Sequence, residues 1–249
     1  MELNQGNLVI YIVEDYEQMS KKGAEVITAL VKEKPNAILG LATGSTPVGL
    51  YKELIAQYKA GDIDFSKITT FNLDEYYPIA KNNDQSYDYF MRENLFNHVN
   101  IDPAKINLPN GEAADVAKEC AEYDARMLSS GGIDLQLLGV GLNGHIGFNE
   151  PAEKLSAGTG VVMLTESTIN ANARFFENRD DVPKKALSMG IRSIMMAKKI
   201  LLMANGEKKA EVLKDALTGK ITTMNPASLL QLHRDVVVVL DKEAGQYFL

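Results

Sequence analysis

Residues 39–50 read Leu-Gly-Leu-Ala-Thr-Gly-Ser-Thr-Pro-Val-Gly-Leu, a run that passes from an apolar strand through small residues into a helix. A strand followed directly by a helix is typical of α/β folds. We expect Thr46 to act as the helix N-cap and Pro47 to occupy the first helical position, because a side-chain oxygen and a fixed φ suit these two places.

The same alternation extends in both directions along the chain. Short runs rich in Val, Ile and Leu predict strands at residues 8–13, 37–42, 68–73, 133–140, 199–204 and 236–240. Apolar residues spaced by three and four predict helices at residues 19–31, 47–58, 86–99, 113–128 and 207–217. Together they predict an α/β fold, a three-layer α/β/α sandwich around a mostly parallel, Rossmann-like sheet.

Composition limits the class of protein. The 249 residues contain no internal repeat or long linker, which predicts a single domain spanning 1–249. A formal net charge of -7 argues against a nucleic-acid partner. No apolar run is long enough to cross a membrane, and residues 1–7 lack the basic start of a secretory signal. Cys120 is the single cysteine, which excludes an internal disulfide and fits a reducing cytoplasm.

Three segments offer chemistry. After the strand at 37–42, the free backbone N–H groups of Gly44, Ser45 and Thr46 can form an anion cradle, although an ordinary strand-to-helix turn explains the same pattern. No Gly-Lys-Ser/Thr follows, which argues against a Walker-type site. Next, Phe71-Asn-Leu-Asp-Glu-Tyr-Tyr77 places two acids at a strand end, so Asp74 or Glu75 is a candidate general base unless both only cap the next turn.

The third segment, residues 137–151, reads Leu-Leu-Gly-Val-Gly-Leu-Asn-Gly-His-Ile-Gly-Phe-Asn-Glu-Pro. It contains a formal Gly-x-Gly-x-x-Gly pattern, but a dinucleotide site is rejected because no helical periodicity follows it. We expect these glycines to let the backbone approach a small ligand. His145 has an acid, Glu150, five positions on, which indicates a proton-transfer pair.

Basic residues and metal ligands give weaker signals. Arg174 and Lys209 are candidate phosphate ligands, although each taken alone is typical of a solvated surface charge. Three scattered histidines and one cysteine offer no usual zinc spacing, so no metal is expected.

Taken together, the motifs resemble the glucosamine-6-phosphate deaminases from about residue 8 to residue 240. The resemblance rests on Ala-Thr-Gly-Ser-Thr-Pro at 42–47, Asn-Leu-Asp-Glu-Tyr at 72–76, Gly-His-Ile-Gly-Phe-Asn-Glu-Pro at 144–151 and Asn-Ala-Arg-Phe-Phe at 172–176. The block at 144–151 separates this family from the related 6-phosphogluconolactonases, in which it continues Gly-His-Thr-Ala-Ser.

The resemblance implies a cytoplasmic enzyme of amino-sugar catabolism (N-acetylglucosamine, sialic acid). It would isomerise D-glucosamine 6-phosphate and hydrolytically deaminate it to D-fructose 6-phosphate and ammonia. Its partner would be this small sugar phosphate, and it would need no cofactor and no metal. A 6-phosphogluconolactonase-like hydrolase is the first alternative. A sugar-phosphate-sensing module is the second, but it would need a helix-turn-helix segment for which residues 1–7 leave no room.

The resemblance also implies residue roles. Asp74 would move a proton between C2 and C1, and His145 would open the sugar ring, oriented by Asn143 and Glu150. Asn143 stands where many members carry Asp, and it can orient a histidine without supplying charge. The ligands of the 6-phosphate would be Thr43, Gly44, Ser45, Thr46, Arg174 and Lys209, with Lys208 as a neighbouring alternative.

Regulation is expected to be absent. Hexameric members that are activated by N-acetylglucosamine 6-phosphate carry basic residues where this chain has Gly160 and Val162, and a further C-terminal stretch beyond the position of Leu249. We therefore expect a monomer without an allosteric site.

Overall fold

The computed structural model covers residues 1–249 and describes their side chains apart from those of Gln5, Ser167, Ala171 and Phe175. The strands are β1 Glu2–Gln5, β2 Leu8–Val13, β3 Ile38–Leu41, β4 Thr69–Asn72, β5 Asp74–Tyr77, β6 Ile106–Asn107, β7 Leu135–Leu138, β8 Gly160–Met163, β9 Lys185–Ser188, β10 Lys199–Ala204 and β11 Val236–Asp241. The α-helices are α1 Tyr16–Glu33, α2 Val48–Ala60, α3 Tyr87–Asn94, α4 Val116–Ser129, α5 Glu166–Asn172, α6 Ile191–Met195 and α7 Ala210–Thr218. Within this described part of the chain, no helix combines the length and apolar character needed to span a bilayer.

The large sheet has the strand order β1-β2-β11-β10-β7-β3-β4-β6. All neighbouring pairs are parallel except β1 with β2. The central strands are buried on both faces, and β11 has every residue buried, which is why they are near-continuous apolar runs rather than alternating ones. The predicted single-domain α/β fold with a mostly parallel sheet is confirmed.

Helices pack on both faces of this sheet. Gly23 of α1 lies against Met203 of β10, so closely that a Cβ at Gly23 would clash with its sulfur. Tyr123 of α4 packs edge-on against Phe71 of β4, with ring centroids 5.8 Å apart. Register across the sheet puts Phe71 and Met203 on opposite faces, because side chains alternate along each strand. Three layers result.

A second, antiparallel sheet was not predicted. It has the order β5-β9-β8 and starts immediately after β4, so that the chain leaves the large sheet at Leu73 and enters the small one at Asp74. A smaller apolar cluster packs beneath it, with Tyr76, Phe148 and Ile169 among its buried members. This sheet forms one wall beside the carboxyl edge of the large sheet.

The prediction that Thr46 caps α2 is wrong. The N-cap is Pro47, in helical conformation and without a side-chain hydrogen bond to the helix. The Thr46 hydroxyl instead faces Asn205 Oδ1 at 3.3 Å, and the N–H of Gly49 donates to the Tyr16 hydroxyl at 2.8 Å. A tertiary partner thus does the work that a local cap would otherwise do.

Candidate active site

A cavity of about 280 Å³ lies where loops leave the carboxyl ends of β3, β4 and β7. Open parallel sheets bind ligands at this edge. All of the predicted site residues except Glu150 line the cavity, namely Thr43, Gly44, Ser45, Thr46, Asp74, Asn143, His145, Arg174 and Lys209. Residues separated by more than a hundred positions in the sequence are therefore brought together.

The loop after β3 has the shape of an anion cradle. Gly44 has φ +96°, a left-handed conformation that favours glycine. Tyr16 of α1 fixes the loop, since its hydroxyl donates to the carbonyl of Ser45 at 3.0 Å while it accepts from Gly49. The helix α2 begins just behind the loop and contributes the partial positive charge of its N-terminus.

Two cations face this cradle. Arg174 Nη2 donates to Ser45 Oγ at 3.4 Å, and Lys209 Nζ donates to the carbonyl of Val140 at 2.6 Å. Burial, and after it the positive charge of Arg174, lowers the pKa of Lys209 to about 8. Two like charges drawn together in this way indicate a site for an anion that neutralises both. Lys208 is exposed and does not line the cavity, so the structure favours Lys209 of the two.

Asp74 lies at the start of β5 and is 7% exposed. No hydrogen bond reaches its carboxylate from the residues that the structure describes in full, and the rings of Tyr76, Tyr87 and Phe148 line the same part of the cavity. Burial, together with the neighbouring charge of Glu75, raises the pKa of Asp74 to about 8. A carboxylate whose ionised form is this poorly solvated is a strong base.

Glu75 points the other way. Its oxygens accept the backbone N–H groups of Tyr76, Tyr87 and Asp88 at 2.8–2.9 Å, two of them at the start of α3. Burial raises the pKa of Glu75 to about 7, although these three donors lower it. The alternation of side chains along β5 therefore decides between the two candidate bases: only Asp74 faces the cavity.

His145 is oriented by two neighbours. Its Nδ1 lies 3.2 Å from Glu150 Oε2, which also accepts from Asn143 Nδ2 at 2.6 Å. The Asn143 Oδ1 accepts the backbone N–H of His145 at 3.2 Å. Burial alone would raise the pKa of Glu150, but the hydrogen bond and charge of His145, with donors from Thr168 and Asn143, hold it at about 2. Glu150 is thus an ionised support behind the ring.

Two glycines of this loop make room for neighbouring side chains, whereas Gly139 lines the cavity with open space where a Cβ would stand. The expectation that the glycines let the backbone approach a ligand stays a prediction. A Cβ on Gly141 would clash with the ring of His145, so that Gly141 makes room for the imidazole. Gly144 has φ +87°, and a Cβ there would clash with the side-chain oxygen of Asn225. Asn149 closes the turn by donating from Nδ2 to the carbonyls of Ile146 and Met189, both at 2.9 Å.

Several supporting residues gave no usable sequence signal. Thr168 donates its hydroxyl to Glu150 from α5. Asp241 accepts the N–H of Gly206 at 3.0 Å and so holds the segment that carries Lys209. Asn172 donates to the Tyr76 hydroxyl at 2.9 Å, and it is the one residue of these three that lies in a family motif, Asn-Ala-Arg-Phe-Phe at 172–176. Across the described residues, no group of three His, Cys, Asp or Glu side chains is arranged to hold a metal.

The family model for glucosamine-6-phosphate isomerases and 6-phosphogluconolactonases matches residues 14–239. The chain belongs to this family. Its relatives include the glucosamine-6-phosphate deaminase of Clostridioides difficile (strain 630), which is 58% identical over 236 residues and 95% of each chain. The deaminase of Clostridium perfringens (strain 13 / Type A) is 56% identical over 237 residues, 95% of this chain and 98% of that one.

Solved structures of the family agree with the fold. A monomeric glucosamine-6-phosphate deaminase superposes with a TM-score of 0.93 at 45% identity, covering 95% of this chain and 98% of that chain. The 6-phosphogluconolactonase of Thermotoga maritima superposes with a TM-score of 0.75 at 22% identity, covering 94% and 100%. Within the family, the lactonase thus shares the architecture, whereas the deaminase is similar in sequence as well.

Proposed function

We propose that this protein is a glucosamine-6-phosphate deaminase that converts D-glucosamine 6-phosphate and water into D-fructose 6-phosphate and ammonia. One observation carries the proposal: a desolvated base, Asp74, and a supported imidazole, His145, face one cavity that Arg174 and Lys209 also line. A phosphate bound by the two cations would hold a sugar in the same cavity as the two proton-transfer groups. The high identity to deaminases supports the same reading.

Ring opening is the task of His145. The imidazole removes the proton from the O1 hydroxyl of the pyranose and delivers a proton to the ring oxygen, so that the C1–O5 bond breaks and an aldehyde forms. Glu150 and Asn143 keep the ring in place. Because Glu150 is ionised, it also stabilises the imidazolium that exists while the proton is in transit.

Isomerisation is the task of Asp74. The C1 aldehyde acidifies the C2–H bond, and the carboxylate takes that proton to give an enolamine. Asp74 then returns the proton to C1, and a proton passes from the amino group to O1, which leaves an imine at C2 and a hydroxyl at C1. Water adds to the imine, and the carbinolamine expels ammonia to give the ketose. Electrons move only within the substrate, so these steps require no redox cofactor.

Phosphate binding is assigned to Thr43, Gly44, Ser45, Thr46, Arg174 and Lys209. The backbone N–H groups of the loop and two cations can donate charge-assisted hydrogen bonds to three phosphate oxygens. The binding energy of the phosphate positions the distant C1–C2 bond.

The test is simultaneous measurement of ammonia and fructose 6-phosphate from purified protein and glucosamine 6-phosphate. We expect the two products in equal amounts, with no hydrolysis of 6-phosphogluconolactone. Lactone hydrolysis without ammonia release would overturn the proposal in favour of the lactonases.

A second experiment separates the two proton-transfer roles. The variant His145→Gln should fail to turn over the cyclic substrate yet bind an open-chain amino-alditol phosphate nearly as well as the parent, because that analogue needs no ring opening. A large loss of analogue affinity would make His145 a binding residue instead.

We also propose that residues 1–249 act as one deaminase domain, monomeric and without a site for N-acetylglucosamine 6-phosphate. Gly160 and Val162 of β8 offer a phosphate no charge and no side-chain donor, and the similar deaminase structure is described as monomeric. Saturation curves should be hyperbolic and indifferent to that compound except for competition. Light scattering should give a mass near 27.4 kDa. A sigmoidal curve that the compound makes hyperbolic would contradict this.

We place the reaction in the cytoplasm. Cys120, buried in α4 as a free thiol, fits a reducing compartment. Location of the tagged protein by fractionation tests this point.

A further inference from the structure

The two carboxylate oxygens of Glu150 serve different parts of the chain. Oε2 faces the ring-opening loop, where it meets Asn143 Nδ2 and His145 Nδ1. Oε1 faces α5, where it accepts from the hydroxyl of Thr168 at 2.5 Å and lies 3.3 Å from that of Thr165. One carboxylate thus joins two segments of the active site.

The Thr168 hydroxyl is not needed to start α5. The N-cap of that helix is Thr165, whose Oγ1 accepts the backbone N–H of Thr168 at 3.3 Å. Thr165 Oγ1 in turn lies 3.2 Å from Thr168 Oγ1. Thr168 donates to Glu150 Oε1, and the single proton of the Thr165 hydroxyl can go either to Thr168 Oγ1 or to Glu150 Oε1 itself. At 5% exposed, Thr168 has little water to compete for its proton.

We propose that Thr168 is a positioning residue for ring opening, which fixes the carboxylate of Glu150 and through it the imidazole of His145. The inference rests on the proposed function, in which His145 opens the ring. The terminal torsion of a glutamate is broad and roughly two-fold, so the carboxylate turns easily unless both oxygens are held. A donor on Oε1 keeps Oε2 aimed at His145 Nδ1.

The far end of α5 reaches the phosphate cradle. Asn172, its last residue, donates to Tyr76, and Arg174 in the following turn donates to Ser45. The helix that carries Thr168 is therefore anchored at one end by the site of the 6-phosphate and at the other by Glu150.

The test compares Thr168→Val with Thr168→Ser. Valine keeps the branched shape and removes the hydroxyl, whereas serine keeps the hydroxyl. We expect kcat to fall about 10- to 100-fold in the valine variant, since a hydrogen bond to a charged group is lost. The serine variant should recover most of it, and affinity for the open-chain amino-alditol phosphate should stay near parental in both.

Asn170→Ala is the matched control. Asn170 lies on the exposed side of the same helix and accepts from Arg179. It should leave kcat near the parental value. If kcat falls as far in Asn170→Ala as in Thr168→Val, the effect is due to the stability of α5 and the inference fails.

Two readouts separate positioning from general damage. The Thr168 hydrogen bond is among the causes that lower the pKa of Glu150, so the pKa of the Glu150 carboxyl, followed by NMR, should rise in Thr168→Val and stay near the parental value in Thr168→Ser. The ¹⁵N signal of His145 Nδ1, recorded without substrate, should also shift in Thr168→Val. Parental kcat in Thr168→Val, or an unchanged Nδ1 signal, overturns the inference. A parent that releases no ammonia refutes the proposed function, while the Nδ1 signal still tests Thr168.

Discussion

Asp74 and Glu150 are carboxylates beside the same cavity, but their surroundings differ. Asp74 lies among aromatic rings with no donor from the residues described in full, and its pKa is raised to about 8. Glu150 has donors on both oxygens, and its pKa is lowered to about 2. The difference shows how one fold obtains a proton acceptor and a permanent anion from the same functional group: withholding donors makes the first, and supplying them makes the second.

The largest effect should come from removing the acceptor. Asp74→Asn keeps the shape of the side chain and removes its basicity, so turnover should fall by about 10²- to 10⁴-fold. Binding of the open-chain amino-alditol phosphate should persist. Steady-state ammonia release and inhibition assays measure the two. Turnover within tenfold of the parent would exclude Asp74 as the enolising base.

Stability should respond to the two carboxylates with opposite signs. The folded pKa of Asp74 is raised, so its contribution to stability declines as pH rises from about 4 through about 8. Asp74→Asn should therefore melt higher than the parent at pH 8. The folded pKa of Glu150 is lowered, so its contribution is present above about 4.5 and is lost as pH falls towards 2. Glu150→Gln should melt lower.

Thermal unfolding without substrate checks this pair. We expect shifts of a few degrees each way, since about 1 kcal/mol moves the Tm of a protein of this size by roughly 2–4 °C. Tm shifts of the same sign in both variants would contradict a raised pKa for Asp74 together with a lowered pKa for Glu150.

The pH profile of kcat/KM should show the acceptor directly. Activity should rise as Asp74 ionises near pH 8 and fall as Lys209, whose pKa is also about 8, loses its charge. Because the charge of Glu75 helps to raise the pKa of Asp74, Glu75→Gln should move the acid limb to lower pH. The substrate also titrates, but it does so equally in assays of the parent and of Glu75→Gln, so the difference between the two pH profiles reports the protein. A parent that is flat between pH 5 and 7 would contradict the raised pKa.

The smallest effect should come from Asn143→Asp. Asn143 donates to Glu150, and an ionised aspartate cannot, so two carboxylates would then share His145. Like charges disfavour each other's ionised form, which predicts a pKa of Glu150 above its parental value of about 2, with turnover within about tenfold of the parent. A matched pH series on the two proteins measures it. Loss of turnover as severe as in Asp74→Asn would assign Asn143 a larger role.

Much of the large sheet could be predicted from the sequence. The strands at 8–13 and 199–204 have the bounds that their apolar runs predict, and the bounds of the others differ by at most two residues at either end. The small sheet could not be predicted, because none of its strands is a continuous buried apolar run. β5 begins with two acids that local pattern cannot distinguish from a turn, and β8 alternates without a fully buried residue.

The site divides in the same way. The pairing of His145 with Glu150 could be predicted, because the two residues are five positions apart in one turn and the contact is local in sequence. The choice of Asp74 over Glu75 needs the direction of β5. The contact between Thr168 and Glu150 joins residues 18 positions apart and needs the packing of α5 against the loop, which local pattern does not give. Thr46 shows the converse, since its local tendency to cap a helix yields to a tertiary partner, Asn205.

Gly141 has no catalytic group, but its lack of a side chain is a feature of the sequence that can be checked in relatives. Because the imidazole of His145 occupies the space of the missing Cβ, a relative that keeps every proton-transfer residue but has alanine at this position would keep the motif and lose the geometry. If His145 opens the ring as proposed, that relative would be inactive, because the alanine methyl group would displace the imidazole. Where two related copies occur, we expect a copy with a larger residue at position 141 to be the one that no longer opens the sugar ring.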